Sequence, residues 1–559
     1  MYNMRKKRIL HVGESNFLST GYGTYARALL SYLHNTGKYE IAELGCYCGP
    51  NDPRPQAVPW KFYPNGPNEN DPKEVQMYNS SSLNQFGEWK FEPVCLDFLP
   101  DIVFDFRDHW YFTFEEHSPF RRMYNWCICP TVDSLNQHED WISTFTNADG
   151  VFTYTDWSQK VLQEEGGGLI NLLGATPVCV ELDVFKPTPN KRQHKAMFGL
   201  REDAFIIGTV MRNQKRKLYP DMLEAFAKFI EEASPEVADR TFLYIHASYP
   251  DLGWDFPRMI KNLGLSNKVL FTYTCFKCGL VFPRFYSDVR TVCPKCHNAN
   301  ATFPNTQQGI DRNALAAIYN IFDLFLQYSI CEGQGIGQVE AAACGVPVMS
   351  VDYSAMTDVV RKVNGYPIKV QRMFHESETG CLRALPDNED LIQRLNEFVT
   401  LPEQLRAQKG NKARLGAEKH YNWLDTCKKW ENYFDSVEVR PLEQTWLSSP
   451  HFISSANHIN QVPEGMSDEQ FVNWSLVNVM GRPDLIGSFF AMKVVRDLSW
   501  GASPDTQGGI VFNDLSTLGL KPAYQPYDRN KVIEQFKVVA DKNNFWEQQR
   551  YNKLAGGNH

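Results

Sequence analysis

The chain has 559 residues, 43% of them hydrophobic and 22% charged, the make-up of an ordinary globular protein of two to four domains. Its formal charge of −8 excludes a global electrostatic pull toward nucleic acid or anionic lipid and leaves only a local basic patch for such a role. No run approaches the roughly 18 apolar residues that span a bilayer. The apolar piece behind the basic first eight residues is too short for a signal sequence, so a cytoplasmic chain with reduced thiols is expected.

In chain order, residues 8–13 (Arg-Ile-Leu-His-Val-Gly) read as a buried parallel strand. Residues 14–23 form a polar loop, and residues 24–33 carry helical spacing at Tyr25, Leu29, Leu30 and Leu33. Strand, loop and helix open a doubly wound α/β domain, where Gly21 and Gly23 either admit a phosphate to the helix N-terminus or serve packing alone. Residues 41–46 are a second strand, and residues 49–74 a long proline-rich connection. The strand 100–106 is followed by Arg107, Asp108 and His109 at its C-terminal end, the edge where open α/β sheets bind ligands. Strand 126–131 ends near Asp133, and strand 150–155 leads into a helix over 158–165. His109 and Asp133 are the candidates for a direct role at this rim; the alternative for each is an ordinary loop residue.

Residues 178–187 read as a linker, and the α/β rhythm restarts with a strand over 204–210. The stretch Met-Arg-Asn-Gln-Lys-Arg-Lys (211–217) then sets four cations at a strand end, ahead of an amphipathic helix over 221–230. A charge run is usually a solvated face. At this edge it also suits a phosphate clamp, with Arg for bidentate contact and Lys as a point charge. Further strands are expected at 241–246, 268–273, 324–328 and 346–351, with helices at 259–263 and 314–321.

Cys275-x2-Cys278 and Cys293-x2-Cys296, separated by 14 residues, have the spacing of a tetrahedral four-cysteine zinc site. Four protein ligands leave no open position, so a structural Zn2+ and no catalytic metal are expected. The insertion is either a staple or a macromolecular contact. Its Lys277, Arg284, Arg290 and Lys295 mingle with Phe282, Phe285 and Tyr286, which suits nucleic acid or protein.

Between Ser329 and Pro347, three glycines (Gly333, Gly335, Gly337) precede an alanine-rich helix expected over 338–344, with Gly345 as its cap. The amides around Gly335, Ile336 and Gly337 are free to meet an anion. Glu332 and Glu340 bracket the turn. Acids repel phosphate, but they make sense holding hydroxyls on either side of it, a sugar and a ribose. Helices follow over 388–399 and 404–434. Residues 441–559 look like a helical appendage, with helical segments at 470–480 and 533–551.

Together these features resemble a GT-B glycosyltransferase, more narrowly the retaining, family-four-like glycosyl transferases group 1. Residues 332–347 resemble that family's "EGFG…EAmAcGvPV" signature, and Arg212 and Lys217 match its Arg and Lys, five apart. Residues 183–187 resemble its inter-domain "D…F.P" segment. Tyr421-Asn422-Trp423 resembles the aromatic stretch before a last helix that crosses back to the first domain. The resemblance covers roughly residues 7–437, without the cysteine ribbon. Phe104 and Phe106 stand where many members have histidines, which leaves His109 as the candidate for that role, and Asp358 stands near where many have a glutamate.

The resemblance implies an α/β, GT-B fold: two Rossmann-like doubly wound domains facing a cleft, with a zinc-ribbon insertion and a mainly helical C-terminal appendage. The divisions are an acceptor-side domain over 1–187 and a nucleotide-sugar domain over 188–420, with the ribbon at 272–305. A cross-over helix over 421–440 and the extension over 441–559 complete it. It further implies a nucleoside-diphosphate sugar as donor and retention by front-face attack. Arg212 and Lys217 would stabilise the leaving diphosphate, which takes the acceptor's proton. Glu332 would hold sugar hydroxyls and Glu340 the ribose. The ribbon and appendage put a hydroxymethylated base in DNA first among acceptors, ahead of a cell-surface or lipid-linked glycan. A non-catalytic nucleotide-sugar or nucleic-acid binding module is opposed by the intact Glu and Arg/Lys pairs. A paired-carboxylate hydrolase would explain neither the basic cluster nor the glycine loop.

Overall fold

A computed structural model of the chain describes residues 5–305, 309–453, 464–499 and 529–556. Two sheets organise it. The first is all parallel: β1 (Lys7–Glu14), β2 (Tyr39–Cys46), β3 (Lys61–Pro64), β4 (Ile102–Asp105), β5 (Asn125–Ile128), β6 (Gly150–Thr153) and β7 (Leu172–Ala175), in the order β3-β2-β1-β4-β5-β6-β7. Unbroken apolar strands need cover on both faces. Ile9 accordingly joins a core with Tyr25, Leu29, Phe104 and Trp430, while Leu10 and Val12 join one with Phe91, Val103 and Trp126. β3 lies inside the stretch expected to be connection only; as a four-residue edge strand with one neighbour it needs little apolar pattern.

The second sheet contains β8 (Phe205–Val210), β9 (Thr241–His246), β10 (Val269–Cys275), β14 (Leu324–Gln327), β15 (Val348–Val351) and β16 (Tyr366–Ile368), paired in parallel in the order β10-β9-β8-β14-β15-β16. The inserted ribbon adds β11 (Leu280–Phe285), β12 (Arg290–Thr291) and β13 (Ala301–Thr302), antiparallel, at the β10 edge.

The strand order reverses between β1 and β4 in one sheet and between β8 and β14 in the other. Such switch points open a crevice at the carboxyl ends of the strands. Everything singled out along the chain as a candidate binder of substrate follows one of those four strands, or lies one strand over.

The expected helix 404–434 is two helices, Glu403–His420 and Trp423–Ser436, the second capped by Asn422. The second crosses to the first sheet, where Trp430 and Phe434 bury against Phe104 and Lys7 Nζ donates to the carbonyls of Phe434 and Asp435, at 2.7 Å each. The appendage contains Asp468–Ser475 with a following π-turn to Met480, Phe489–Ser499 and the long helix Arg529–Gly556. It docks on the first domain: Trp446 is 1% exposed, its Nε1 donates to Pro100 O at 2.9 Å, and its ring packs on Phe120. Of the expected extension, residues 454–463, 500–528 and 557–559 lie outside the described residues, as do 1–4 and 306–308. Among the described residues no helix is long and apolar enough to cross a membrane.

Candidate active site

After β8 the basic stretch runs back across the β14 crevice. Lys217 bridges Ser329, Leu218 N donates to Tyr328 O and Ile330 N donates to Arg216 O, both at 3.0 Å. This fastens the cations to the loop that carries Glu332. Lys217 Nζ donates to Glu332 Oε1, and both residues are buried. The same oxygen accepts from Gln327 Nε2 at 2.7 Å and Ser329 Oγ at 3.0 Å, while Arg216 stands 3.9 Å from Oε2. A buried charge is tolerated when it is paired and hydrogen-bonded, and Glu332 is both. Arg212, in contrast, turns to Asp251, with Nε and Nη2 at 2.9 and 3.1 Å from its oxygens. That bond is the main reason the Asp251 carboxyl is lowered to about 2.

The alanine-rich helix spans Ile336–Ala343, two residues earlier than expected, because Gly335 serves as its N-cap at φ 79°. Only glycine takes that conformation at no steric cost. The first-turn amides, of Ile336 and Gly337 among them, have no partner within the helix. Gly333 meets the first domain so closely that a Cβ there would lie 2.4 Å from Thr131 Cγ2. Gln334 exchanges two 2.7 Å hydrogen bonds with the backbone of Val178 in the linker. Glu340, at the other end of the turn, accepts from Tyr319 OH at 2.8 Å, and burial raises its carboxyl to about 7. The ion pair of Arg312 and Glu181, 2.5 Å apart, is close enough to act on its charge.

The first domain departs further from expectation. Gly21 and Gly23 are not in a loop but in the first turn of the helix Gly21–Thr36, where Thr20 Oγ1 accepts from Gly23 N at 3.1 Å. A side chain at Thr20 that caps lets the helix start three residues before its apolar pattern does. Asp133 is not a free rim carboxylate: it accepts from Arg383 Nη1 at 2.7 Å and from the Cys331 thiol at 3.3 Å, both on the other domain. His109 is 7% exposed and lies against Trp141, ring centroids 3.7 Å apart; burial lowers its pKa. Its neighbour Asp108 is half-buried. Burial above all raises its carboxyl to about 6, against the pull of the Thr131 and Tyr22 hydroxyls and of the Arg216 charge from the other domain. Asp358 closes the domains by accepting from Asp156 N at 2.7 Å. Asp108, Gln327, Ser329, Tyr319, Asp251 and Arg383 carry no sequence signature of their own; the signal that could find Asp108 is its place just beyond a strand at the switch point.

The four cysteines come together as their spacing requires. All four Sγ atoms lie within 4.8 Å of one another, with Cys275–Cys296 at 3.5 Å and Cys278–Cys293 at 3.6 Å. Both knuckles have the same turn: Gly279 N donates to Cys275 O at 2.8 Å, and His297 N to Cys293 O at 3.0 Å. Four soft sulfur donors at that mutual distance fit a tetrahedral zinc ion.

The architecture is that of a GT-B glycosyltransferase, and residues 305–415 match the family model described as glycosyl transferases group 1. The chain therefore carries a glycosyl transferases group 1 domain. It is 26% identical over 208 residues to a D-inositol 3-phosphate glycosyltransferase of Kribbella flavida (35% of this chain, 40% of that one). To the protein of the same description from Stackebrandtia nassauensis it is 23% identical over 295 residues (52% and 55%). The chain spans about half the length of these curated relatives. Solved structures share the fold. Sucrose-phosphate synthase from Thermosynechococcus elongatus superposes with a TM-score of 0.53 at 16% identity, covering 77% of this chain and 98% of that one. Anabaena HepE in complex with UDP and glucose superposes with a TM-score of 0.52 at 14% identity, covering 77% and 100%.

Proposed function

We propose that this protein moves a sugar, with retention, from a nucleoside-diphosphate sugar to an acceptor hydroxyl. The observation that carries the reading is the Lys217–Glu332 pair set beside the Gly335-capped helix, at the switch point of the second sheet. Departure of a diphosphate puts negative charge where Lys217 and the amides at Ile336 and Gly337 would stabilise it, joined by Arg212 once it exchanges Asp251 for the phosphate. Glu332 would hold sugar hydroxyls and Glu340 the ribose. The acceptor attacks on the face the diphosphate leaves, and its proton goes to a diphosphate oxygen. The divisions 1–187, 188–420, 272–305, 421–440 and 441–559 then correspond to acceptor side, donor side, ribbon, cross-over and extension. The cysteines would hold zinc as a staple, with no step of the transfer passing through it. HepE's complexes with UDP make that nucleotide the first probe. Calorimetry with UDP, followed by mass spectrometry of a panel of sugar nucleotides, tests the reading; neither binding nor sugar release from any donor would refute it.

One observation favours DNA as acceptor: Lys277, Arg284, Arg290 and Lys295 are all on the ribbon's accessible surface, beside exposed Phe276 and Phe285. A salt-dependent gel shift of duplex DNA, weakened when Lys277, Arg284 and Arg290 become alanine, is expected on that reading. No shift at about 50 mM salt removes it.

A further inference from the structure

The basic segment 211–217 is anchored by a loop that has no cation of its own. Residues 247–255, between β9 and the helix Phe256–Asn262, hold the segment at its start and at its end. Asp251 takes Arg212 through two hydrogen bonds, at 2.9 and 3.1 Å, and is itself fixed by Leu252 N at 2.8 Å and by the Ser248 hydroxyl. Fully buried Asn213 accepts from Trp254 N at 2.8 Å and donates to Trp254 O at 2.9 Å. Trp254 Nε1 donates to Lys217 O at 2.7 Å. The two stretches meet so closely that a Cβ on Gly253 would lie 2.2 Å from Asn213 Oδ1.

That loop in turn leans on the cysteine ribbon. The Tyr249 ring has Phe256 of its own helix on one side, with centroids 5.4 Å apart. On the other are two rings of the ribbon, Phe303 at 5.7 Å and Tyr286 at 6.2 Å, both edge-on. Edge-to-face pairs at this range are attractive and directional. Phe303 is buried against Phe271 and Tyr273 of β10, at 5.4 and 4.7 Å. Its place is set by the pairing of Thr302 with Thr274, and the residue after Thr274 is Cys275 of the sulfur cluster. Tyr286 follows β11, and Tyr273 OH ties that end of the ribbon down by donating to Asp288 O at 2.7 Å. The path from the four sulfurs to the donor cations is therefore continuous: Cys275, the Thr274–Thr302 pair, Phe303, Tyr249, and the loop that carries Asp251 and Trp254.

We propose that the ribbon is a positioning element of the donor site, and that Tyr249 is the positioning residue through which it acts. The inference rests on the function proposed above and gives the ribbon a part beyond that of a staple. With zinc on the four sulfurs the ribbon is closed, and Phe303 and Tyr286 form a fixed wall for Tyr249. The loop behind Tyr249 then sets the backbone of Asn213 and Lys217, so Arg212 stands one exchange of partner away from a diphosphate. Those backbone anchors remain when Arg212 leaves Asp251. Without the wall the cations lose their common geometry, and a misplaced clamp costs the diphosphate far more than the ribose, which Glu340 holds. Zinc and a nucleoside diphosphate are then coupled although neither touches the other.

The test uses the full chain as purified, with UDP and UMP as calorimetric probes. Tyr249→Ala is expected to weaken UDP at least fivefold and UMP less than twofold, with zinc content unchanged. Tyr249→Phe keeps the ring and gives up only the 3.2 Å bond of its hydroxyl to Asp255, so it should stay within twofold of wild type for both. In wild type, competition with a chelator should show zinc held at least fivefold more tightly when UDP saturates the protein, because coupling between two sites is reciprocal. UDP affinity that is unmoved or raised in Tyr249→Ala overturns the inference. So does an equal loss of UDP and UMP, which would mark a general loosening of the domain, or a zinc affinity indifferent to UDP. Wild type that binds no UDP is recognised before any variant is made and removes the donor site as well; UDP binding with an inert Tyr249 removes the ribbon's part alone.

Discussion

Lys217 and Glu340 are both buried beside the glycine-opened helix, and each makes a prediction at the scale of one side chain. Lys217→Ala removes a cation from the place where diphosphate charge would develop. By comparison with the loss of one oxyanion donor it should raise the barrier by ~2.7–4 kcal/mol, read as a fall in kcat of about a hundredfold or more with the fold intact by circular dichroism. Glu340 keeps its proton until about pH 7 because burial penalises the charge. Ribose hydroxyls donate to a carboxylate, so nucleotide binding favours the ionised form. Below pH 7 a proton must then leave for binding to occur, and UDP affinity should weaken as pH falls from 8 to 6, by up to about tenfold per unit. Glu340→Gln should bind more weakly and without that slope, as calorimetry across the range can establish.

Among the elements, the ribbon has an integrity that hangs on a handful of atoms. Cys293 and Phe282 are buried in the same core as Phe271 and Tyr273 of β10, so the insertion is continuous with the second sheet. Elemental analysis should find one zinc per chain, and Cys293→Ser should abolish it. Because ligand loss and core disruption coincide, the same variant should lower the unfolding temperature; zinc retained at full occupancy would refute the site. The hairpin of Val370–His375 and Leu382–Pro386 is a second such element, reaching across to bridge Leu135 and, through Arg383, Asp133. Arg383→Ala leaves Asp133 and Glu376 without their cation. It should cost about 1–3 kcal/mol, the penalty of unsatisfied partly buried groups, and widen the particle in small-angle scattering.

The whole molecule is tied together from its far end. Both the cross-over helix and the appendage return to the first domain, and Arg550, 2% exposed, donates to the carbonyls of Trp446 and Ser448 at 2.8 Å each. Trp446→Ala should therefore destabilise the first domain by about 3–5 kcal/mol, the usual cost of emptying a large buried site. Chemical denaturation would show this as a lowered midpoint. An unchanged midpoint would mean that the appendage is merely attached rather than a buttress.

The amino-acid sequence by itself determined the α/β rhythm, the glycine-opened helix with its two acids, the cations ahead of it and the cysteine spacing. Those features are local: a strand's apolar run, a helix start and a metal knuckle are each set by residues within a few positions of one another. Helix starts moved by two or three residues where a cap outweighed periodicity, as at Thr20 and Gly335. What only the tertiary structure decided is which charges meet. Asp133 is claimed by Arg383, 250 positions on, and Arg212 by Asp251, while His109 is buried against Trp141. A carboxylate's role depends on the charges and hydroxyls within a few ångströms of it, and those neighbours are brought by sheet order, which no local pattern encodes.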